Sequence, residues 1–143
     1  MPNADIFDLA SFLPYLLNRA AEESSVEFAR IYKDNYGLLR TEWRVLFHLG
    51  QHGELTATDI GRISRLHKTK ISRAVAGLQK RRYLRKTTSA EDRRREFLKL
   101  TDLGVKVFEA LSEEAQSYNQ RLLARFSPKE QEALLYSLKK LGG

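Results

Sequence analysis

The sequence predicts a mainly helical α+β fold. Helical hydrophobic periods occupy both ends of the 143-residue chain, two short helical runs joined by a tight turn lie in its middle, and two short strand-like runs follow. With 42% hydrophobic residues the chain can bury an ordinary core. Because no repeat and no Pro- or Gly-rich linker interrupts it, we expect a single domain over residues 1–143.

Two helices are predicted before the middle of the chain. The first covers about 13–34, where apolar residues recur at helical spacing and Pro14 suits the first turn. The second follows Thr41, a candidate N-cap, and stops at Gly53. Their apolar stripes are typical of scaffold helices.

The next segment has the order helix, turn, helix. Thr56 precedes a short helix, a connection follows at 65–67, and a further helical run covers about 68–81. His67, at the end of the connection, either caps the second of these helices or contacts a phosphate. Gly77 lies inside that helix, where glycine costs about 1 kcal/mol relative to alanine. We therefore expect another group to approach the backbone closely there.

The helical run over 68–81 has two contrasting faces. Ile71, Val75 and Leu78 share one face at 100° per residue and are predicted to be buried. The other side carries Lys68, Thr69, Lys70, Ser72, Arg73, Ala76 and Lys80. It is basic, bears hydroxyl groups and contains no acidic residue, which suits a helix that contacts base edges and phosphates.

A two-stranded hairpin is predicted after this helix, from runs at 83–88 and 95–101 that are rich in β-branched, aromatic and leucine residues. Three consecutive arginines, Arg93, Arg94 and Arg95, lie at its tip and the start of its second strand. An arginine-tipped ribbon can enter a DNA minor groove, and Asp92 is spaced to orient Arg94 by a charge-assisted bond. A basic surface hairpin with a weak local ion pair is the alternative.

The helix pair and the hairpin together predict a winged helix-turn-helix DNA-binding unit over about 41–101. Thr101 then caps a long helix over about 102–126, and Ser127 opens a terminal helix with a leucine face. In the long helix Gly104, Phe108, Leu111, Ala115, Tyr118 and Leu122 form a heptad seam. We expect segments 5–36 and 102–143 to be dimerisation helices of a homodimer, with packing inside one chain as the alternative.

The charge distribution indicates a polyanionic partner. Residues 54–100 hold 14 Lys and Arg against 5 Asp and Glu, a net charge of +9, whereas the rest of the chain holds 11 against 13, a net charge of −2. Double-stranded DNA is the predicted partner. A non-specific architectural nucleic-acid-binding protein is the alternative, because the same charge would serve it.

Composition and motifs argue against other classes of protein. The chain has no Cys, which excludes thiol catalysis, thiol redox sensing and Cys-ligated zinc. We find no motif of an enzyme and expect neither catalysis nor a cofactor. His48 and His52 are four residues apart, but no third ligand is evident, so we predict no metal site. The absence of a spanning run and of a signal peptide predicts a cytoplasmic protein without a membrane partner.

Residues 92–104 read D-x-R-x5-L-T-x2-G, supplied by Asp92, Arg94, Leu100, Thr101 and Gly104. After a helix-turn-helix and a short strand, this pattern resembles the MarR family of winged helix-turn-helix regulators, and the resemblance extends from about residue 13 to 141. It implies a homodimeric repressor that binds a palindromic operator. By this analogy, 68–81 is the recognition helix in the major groove, and Arg94, held by Asp92, is the wing arginine in the minor groove.

The resemblance also implies that a small aromatic or lipophilic effector binds between the DNA-binding unit and the dimer helices. Tyr36, Trp43 and Arg44 lie on segments that would line this cleft, with Arg44 as the candidate partner of a carboxylate. Plain core packing is the alternative for the aromatic residues.

This sequence departs from the family at one position before the wing. Members commonly have Gly where this chain has Arg82. If that position requires a positive φ, Arg82 is strained; otherwise the turn differs and Arg82 adds a phosphate contact.

Overall fold

The computed structural model of the protein describes residues 6–143 and has a small sheet set among helices. The helices are a 3-10 turn at Leu9–Ser11, α1 (Leu13–Arg30), α2 (Arg40–His52), α3 (Ala57–Ser64), α4 (Lys68–Lys80), α5 (Asp102–Leu123) and α6 (Pro128–Gly142). The strands are β1 (Leu55–Thr56), β2 (Leu84–Thr88) and β3 (Glu96–Leu100). The predicted mainly helical winged fold is confirmed. Position 5, where the N-terminal dimerisation segment was predicted to begin, lies outside the described residues.

The first helix continues into a π-helical turn, Ile31–Asn35, so the predicted run over 13–34 is helical throughout. The chain then reverses through Gly37, whose φ of 65° suits glycine. The prediction of Thr41 as an N-cap is wrong, because α2 begins one residue earlier, at Arg40. Its N-cap is Leu39, whose backbone N–H donates to Oε1 of Glu42 at 2.7 Å.

The sheet has three antiparallel strands in the order β1-β3-β2, one more than the predicted hairpin. Leu84 pairs with Leu100 at one end of the hairpin and Thr88 with Glu96 at the other. The additional strand, β1, is only two residues long and pairs Leu55 with Leu98. A strand this short has no alternation of polar and apolar residues for a sequence pattern to reveal.

The core lies where α2, α4, α5 and the sheet meet. Its completely or almost completely buried side chains include Leu38, Val45, Leu46, Leu49, Ile60, Leu78 and Leu111. Ile71, Val75 and Leu78 of α4 are all buried, as predicted from their spacing. The side of α4 that is opposite its basic face therefore packs against the core.

The heptad seam of α5 is largely covered by its own chain. Leu111 and Tyr118 are buried, the ring of Phe108 meets that of Phe47 edge-on at 5.3 Å, and Tyr118 stacks on Phe28 of α1. The hydroxyl of Tyr118 also donates to the backbone carbonyl of Ser24. These residues pack inside one chain in the structure, and the assignment of the segment to dimerisation stays a prediction, because a 3.5-residue period reveals an apolar stripe and not its partner.

Other apolar faces have little cover. Helix α6 has no buried residue, and Leu135, Leu138 and Leu141 lie exposed along it. Leu13 and Leu16 are exposed on the first turns of α1. No helix within residues 6–143 is long and apolar enough to cross a bilayer.

The wing joins α5 through a set of backbone contacts. The Thr101 N–H donates to the carbonyl of Tyr83 at 3.0 Å, and the Thr101 hydroxyl donates to the carbonyl of Arg82 at 2.6 Å. The same hydroxyl oxygen caps α5 by accepting the Gly104 N–H at 3.0 Å. A Cβ at Gly104 would overlap the Tyr83 carbonyl. The T-x2-G sequence thus fixes the start of the wing on the first turn of α5.

We expect Gly104→Ala to lower the free energy of unfolding by about 1–3 kcal/mol, because the new methyl group must displace the Tyr83 backbone. Urea unfolding at fixed protein concentration measures this change. Gly142→Ala is the matched control, since a Cβ at Gly142 meets no atom within 4 Å. Equal stability of the two variants would contradict the close packing at Gly104.

Candidate nucleic-acid interface

Helix α4 presents its basic side outward. The six side chains predicted to bind DNA from this helix, Lys68, Thr69, Lys70, Ser72, Arg73 and Lys80, are all exposed. His67 takes the first of its two predicted roles: its Nδ1 accepts the Thr69 N–H at 3.2 Å and caps the helix. The start and orientation of α4 are thereby fixed by one side chain in front of it and by apolar residues behind it.

The turn between α3 and α4 contains features that the sequence analysis missed. Arg65 has left-handed backbone, with φ of 57°, and is exposed. The Ser64 hydroxyl donates to the Ile60 carbonyl at 2.6 Å and accepts the Leu66 N–H at 3.2 Å, which stabilises this tight turn. Arg62 is also exposed, with an Asp59 oxygen 3.1 Å away. Both arginines contribute to the net charge of residues 54–100, but neither is part of a helical or strand pattern that predicts a role for it.

The wing tip is organised by two short polar side chains. Ser89 accepts the Asp92 N–H at 3.3 Å, and Asp92 Oδ1 accepts the Arg94 N–H at 3.0 Å. The same Oδ1 is 3.7 Å from Arg94 Nε, while 97% of the Arg94 side chain is exposed. Asp92 therefore contacts the Arg94 backbone and Nε, and the two terminal guanidinium nitrogens have no protein partner among the hydrogen bonds and ion pairs of residues 6–143.

The other two wing arginines differ from Arg94. Arg93 is exposed. Arg95 is exposed as well, but its guanidinium carbon lies 5.3 Å from the centre of the Phe97 ring. A cation over an aromatic face is attracted to it. Arg95 is thereby drawn towards the sheet, and Arg94 is the better placed of the three to extend from the tip.

A groove of about 450 Å³ separates α4 from the wing. Lys68 and Ser72 line it from the helix, and Lys86 and Glu96, whose charged atoms are 3.2 Å apart, line it from the strands. Its floor is apolar. The groove connects the two basic elements into one continuous surface.

Gly77 contacts the protein's own interior and not this outer surface. A Cβ there would overlap the carboxylate of Glu42, which is buried on α2. The prediction of a close approach at Gly77 is correct, and the approaching group is a side chain of the neighbouring helix. Arg82 has φ of 64°, so the alternative in which this position requires positive φ, with a strained Arg82, is correct.

The three candidate effector residues have different neighbours. Trp43 packs among aromatic rings, 5.2 Å from Phe28 and 5.5 Å from Phe47, and the guanidinium carbon of Arg44 is 5.8 Å from the Trp43 ring. Burial, and then the charge of Arg40, lower the pKa of Arg44. Tyr36 instead faces α5, where burial and then the negative charge of Glu114 raise its pKa.

Helices α2 and α5 also bury polar atoms that no protein group satisfies. They are Trp43 Nε1, His48 Nδ1, Ser112 Oγ and Glu114 Oε2. His48 and His52 stack with ring centres 6.3 Å apart, and burial followed by the proximity of His52 lowers the pKa of His48. Residues 6–143 contain no group of three or more His, Asp or Glu side chains able to hold a metal ion.

Comparison with known proteins agrees with this geometry. Residues 36–95 match a model of the MarR family. Over 125 residues the chain is 28% identical to the uncharacterized HTH-type transcriptional regulator YwaE of Bacillus subtilis strain 168, covering 87% of this chain and 73% of that protein. A MarR/EmrR family transcriptional regulator from Acinetobacter sp. ADP1 superposes with a TM-score of 0.84 at 27% identity, over 94% of this chain and 95% of that one.

The chain is thus similar to the MarR family over residues 36–95, and to a solved MarR/EmrR family regulator over nearly its whole length. MarR-family proteins are DNA-binding transcriptional regulators and not enzymes, and the similarity supports DNA-binding regulation as the predicted function of this chain. Bordetella bronchiseptica BpsR, whose DNA binding is regulated by 6-hydroxynicotinic acid, shares the fold, with a TM-score of 0.85 at 20% identity over 96% of this chain and 97% of BpsR.

We expect Arg94→Ala to weaken binding to a specific duplex by about 1–3 kcal/mol, because the exposed guanidinium is lost from the wing tip. Fluorescence anisotropy with a labelled duplex measures the loss. Lys129→Ala, which removes an exposed charge from the first turn of α6, is the control and should bind like the wild type. Undiminished affinity of Arg94→Ala would refute the role of the wing.

Proposed function

We propose that this protein is a ligand-responsive repressor of the MarR family that binds a palindromic operator as a homodimer. The observation that supports the DNA contacts best is the exposed basic face of α4 together with the exposed Arg94, which Asp92 contacts at the wing tip. In this proposal Lys68, Thr69, Lys70, Ser72, Arg73 and Lys80 contact the major groove and its phosphates. Arg93, Arg94 and Arg95 contact the minor groove or its edges.

The homodimer is supported by the exposed leucines of α6 and the first turns of α1. Leu135, Leu138 and Leu141 lie on one side of α6, and isolated exposure of such a stripe to water is unfavourable. We assign residues 6–36 and 102–143 to dimerisation and residues 41–101 to the winged unit. A two-fold axis through the terminal helices would place two copies of α4 on successive major grooves, roughly 34 Å apart. Occupancy of an operator would then block polymerase sterically.

Ligand response is supported by Trp43, whose buried Nε1 has no protein partner and whose ring lies within an aromatic cluster. Trp43 and Arg44 offer a ring surface and a partly buried cation, a combination that suits a planar aromatic acid. BpsR, with the same fold, responds to such an acid. An effector that prefers a dimer with misplaced recognition helices would lower DNA affinity by the ratio of its affinities for the two states.

Selection from a random duplex library at about physiological salt tests the DNA-binding proposal. We expect enrichment of an inverted repeat whose half-sites are about one helical turn apart, because a two-fold dimer reads the same sequence twice. Binding that shows no enrichment and simply weakens with salt would indicate a non-specific architectural protein instead.

Two variants test whether α6 provides the dimer interface behind that repeat. Leu138→Asp places a charge on the exposed leucine face and should yield monomers in sedimentation velocity, with weakened binding to the selected repeat. Tyr136→Asp is the matched control on the opposite side of the same helix, where Tyr136 is 66% exposed. A dimeric Leu138→Asp protein would refute this interface.

The effector proposal is tested with the only tryptophan of the chain, Trp43. We expect 6-hydroxynicotinate or a related aromatic acid to change its fluorescence and to release the operator over the same concentration range. Arg44→Gln should raise the concentration required about tenfold, since the carboxylate loses a charged partner. Lys129→Gln, which removes an exposed charge on α6, is the control. Unchanged fluorescence and DNA binding with all such acids would refute this ligand class.

A further inference from the structure

Glu42 is the charged side chain that the fold buries most completely among the described residues, with 2% of its surface exposed. It lies on the first turn of α2, away from the DNA-facing side of α4. A carboxylate removed from water is strongly unfavourable unless hydrogen bonds or an opposite charge compensate for it. The groups around Glu42 therefore indicate the role of its buried carboxylate.

Three different segments converge on this carboxylate. Oε1 accepts the N–H of Leu39, at the end of the turn that leaves α1. The same oxygen lies 3.6 Å from Nη2 of Arg81, the C-cap residue of α4. The other oxygen lies against Gly77 so closely that a Cβ there would overlap it. Glu42 thus connects α2, the preceding turn and the last turn of the recognition helix.

Arg81 is held by this arrangement from a second side. A Cβ at Gly37 would lie 3.2 Å from Nη1 of Arg81, so the turn after α1 also packs on the guanidinium. In sequence Arg81 stands between Lys80 and Arg82 and resembles one more phosphate contact. In the structure its side chain is only about one third exposed, 36%, and its charge faces Glu42.

We propose that Glu42 and Arg81 are positioning residues for DNA recognition, which set the rotation and depth of α4 on α2 and do not contact DNA. The inference rests on the proposed role of α4 in reading the operator. Gly77 is part of the same device, because only a residue without a side chain lets the carboxylate reach the helix backbone. Without this pair, α4 would still be folded and basic. It would be displaced relative to the wing and to the α4 helix of the second protomer in the proposed homodimer.

Displacement and loss of a phosphate contact have different signatures. A misplaced recognition helix weakens binding to the selected operator and leaves non-specific electrostatic binding intact. A lost phosphate contact weakens both and reduces the slope of log affinity against log salt by about one. Simple destabilisation lowers the active fraction and affects both duplexes equally.

The test measures binding to the selected operator and to a random duplex over a range of salt concentrations. Glu42→Gln retains an acceptor for the Leu39 N–H and removes the charge, and Arg81→Gln removes the guanidinium. We expect each to lose about tenfold in operator affinity, with unchanged random-duplex binding and salt slope. The double variant should lose no more than the worse single variant, because both changes break one interaction.

Two further variants keep the test decisive. Lys80→Gln is the matched control on the adjacent residue, and it should weaken both duplexes and reduce the salt slope. Arg81→Lys restores a positive charge opposite Glu42 and should recover part of the operator affinity without changing the random-duplex value. Thermal unfolding of each variant identifies any that fail to fold, in which case Arg81→Gln and Arg81→Lys, on the more exposed partner, carry the comparison.

The inference is overturned if Arg81→Gln behaves like Lys80→Gln, if operator affinity is unchanged, or if the losses of the two single variants multiply. These results leave the proposed function intact as long as the wild type prefers the operator. A wild-type protein without any preference between the two duplexes would overturn the proposed function and, with it, this inference.

Discussion

The junction between the wing and the long helix determines how the DNA-binding unit is presented. Two successive carbonyls, those of Arg82 and Tyr83, accept hydrogen bonds from Thr101, and the Tyr83 carbonyl packs against Gly104. Helix α5 continues from this point to its contacts with α1, where Tyr118 stacks on Phe28, so it links the wing junction to the N-terminal helix. The positions of α4 and of the wing relative to α5 depend on this backbone contact.

The basic residues of the winged unit are not equivalent once their neighbours are considered. Arg94 contacts Asp92 through Nε and is otherwise exposed, and Arg95 is attracted to the Phe97 ring. Lys86 is paired with Glu96, and Arg81 faces the buried carboxylate of Glu42. The 14 Lys and Arg residues of positions 54–100 are therefore not all equally free to bind a polyanion. Specificity depends on the smaller set whose orientation the fold fixes.

Much of the fold could be predicted because its signals are local. Capping residues such as Ser127 and the apolar period of α4 depend on neighbours within one or two turns, and the structure agrees with both. Features that need a distant partner could not be predicted. The strand at Leu55 exists only through its pairing with Leu98, and the role of Gly77 appears only when Glu42 is placed beside it.

The candidate site likewise has some features that local sequence patterns predict and others that depend on distant partners. The outward face of α4 and the spacing of Asp92 and Arg94 follow from the sequence, and the structure places them as that spacing suggests. The partners of Trp43 and Tyr36 depend on how α1, α2 and α5 pack, which no local pattern specifies. Their assignment to an effector cleft remains a prediction, as do the individual DNA contacts.

Arg65 and Arg82 both adopt left-handed backbone, with φ of 57° and 64°, where glycine would fit without strain. Each such residue costs on the order of 1 kcal/mol. Both lie in the winged unit, so the protein tolerates conformational strain at two positions where a side chain adds positive charge. An arginine at each of these positions thus lowers the stability of the free protein and increases its attraction to a polyanion. A bound duplex stabilises the folded state by mass action, so the strained conformation is best tolerated when DNA is present.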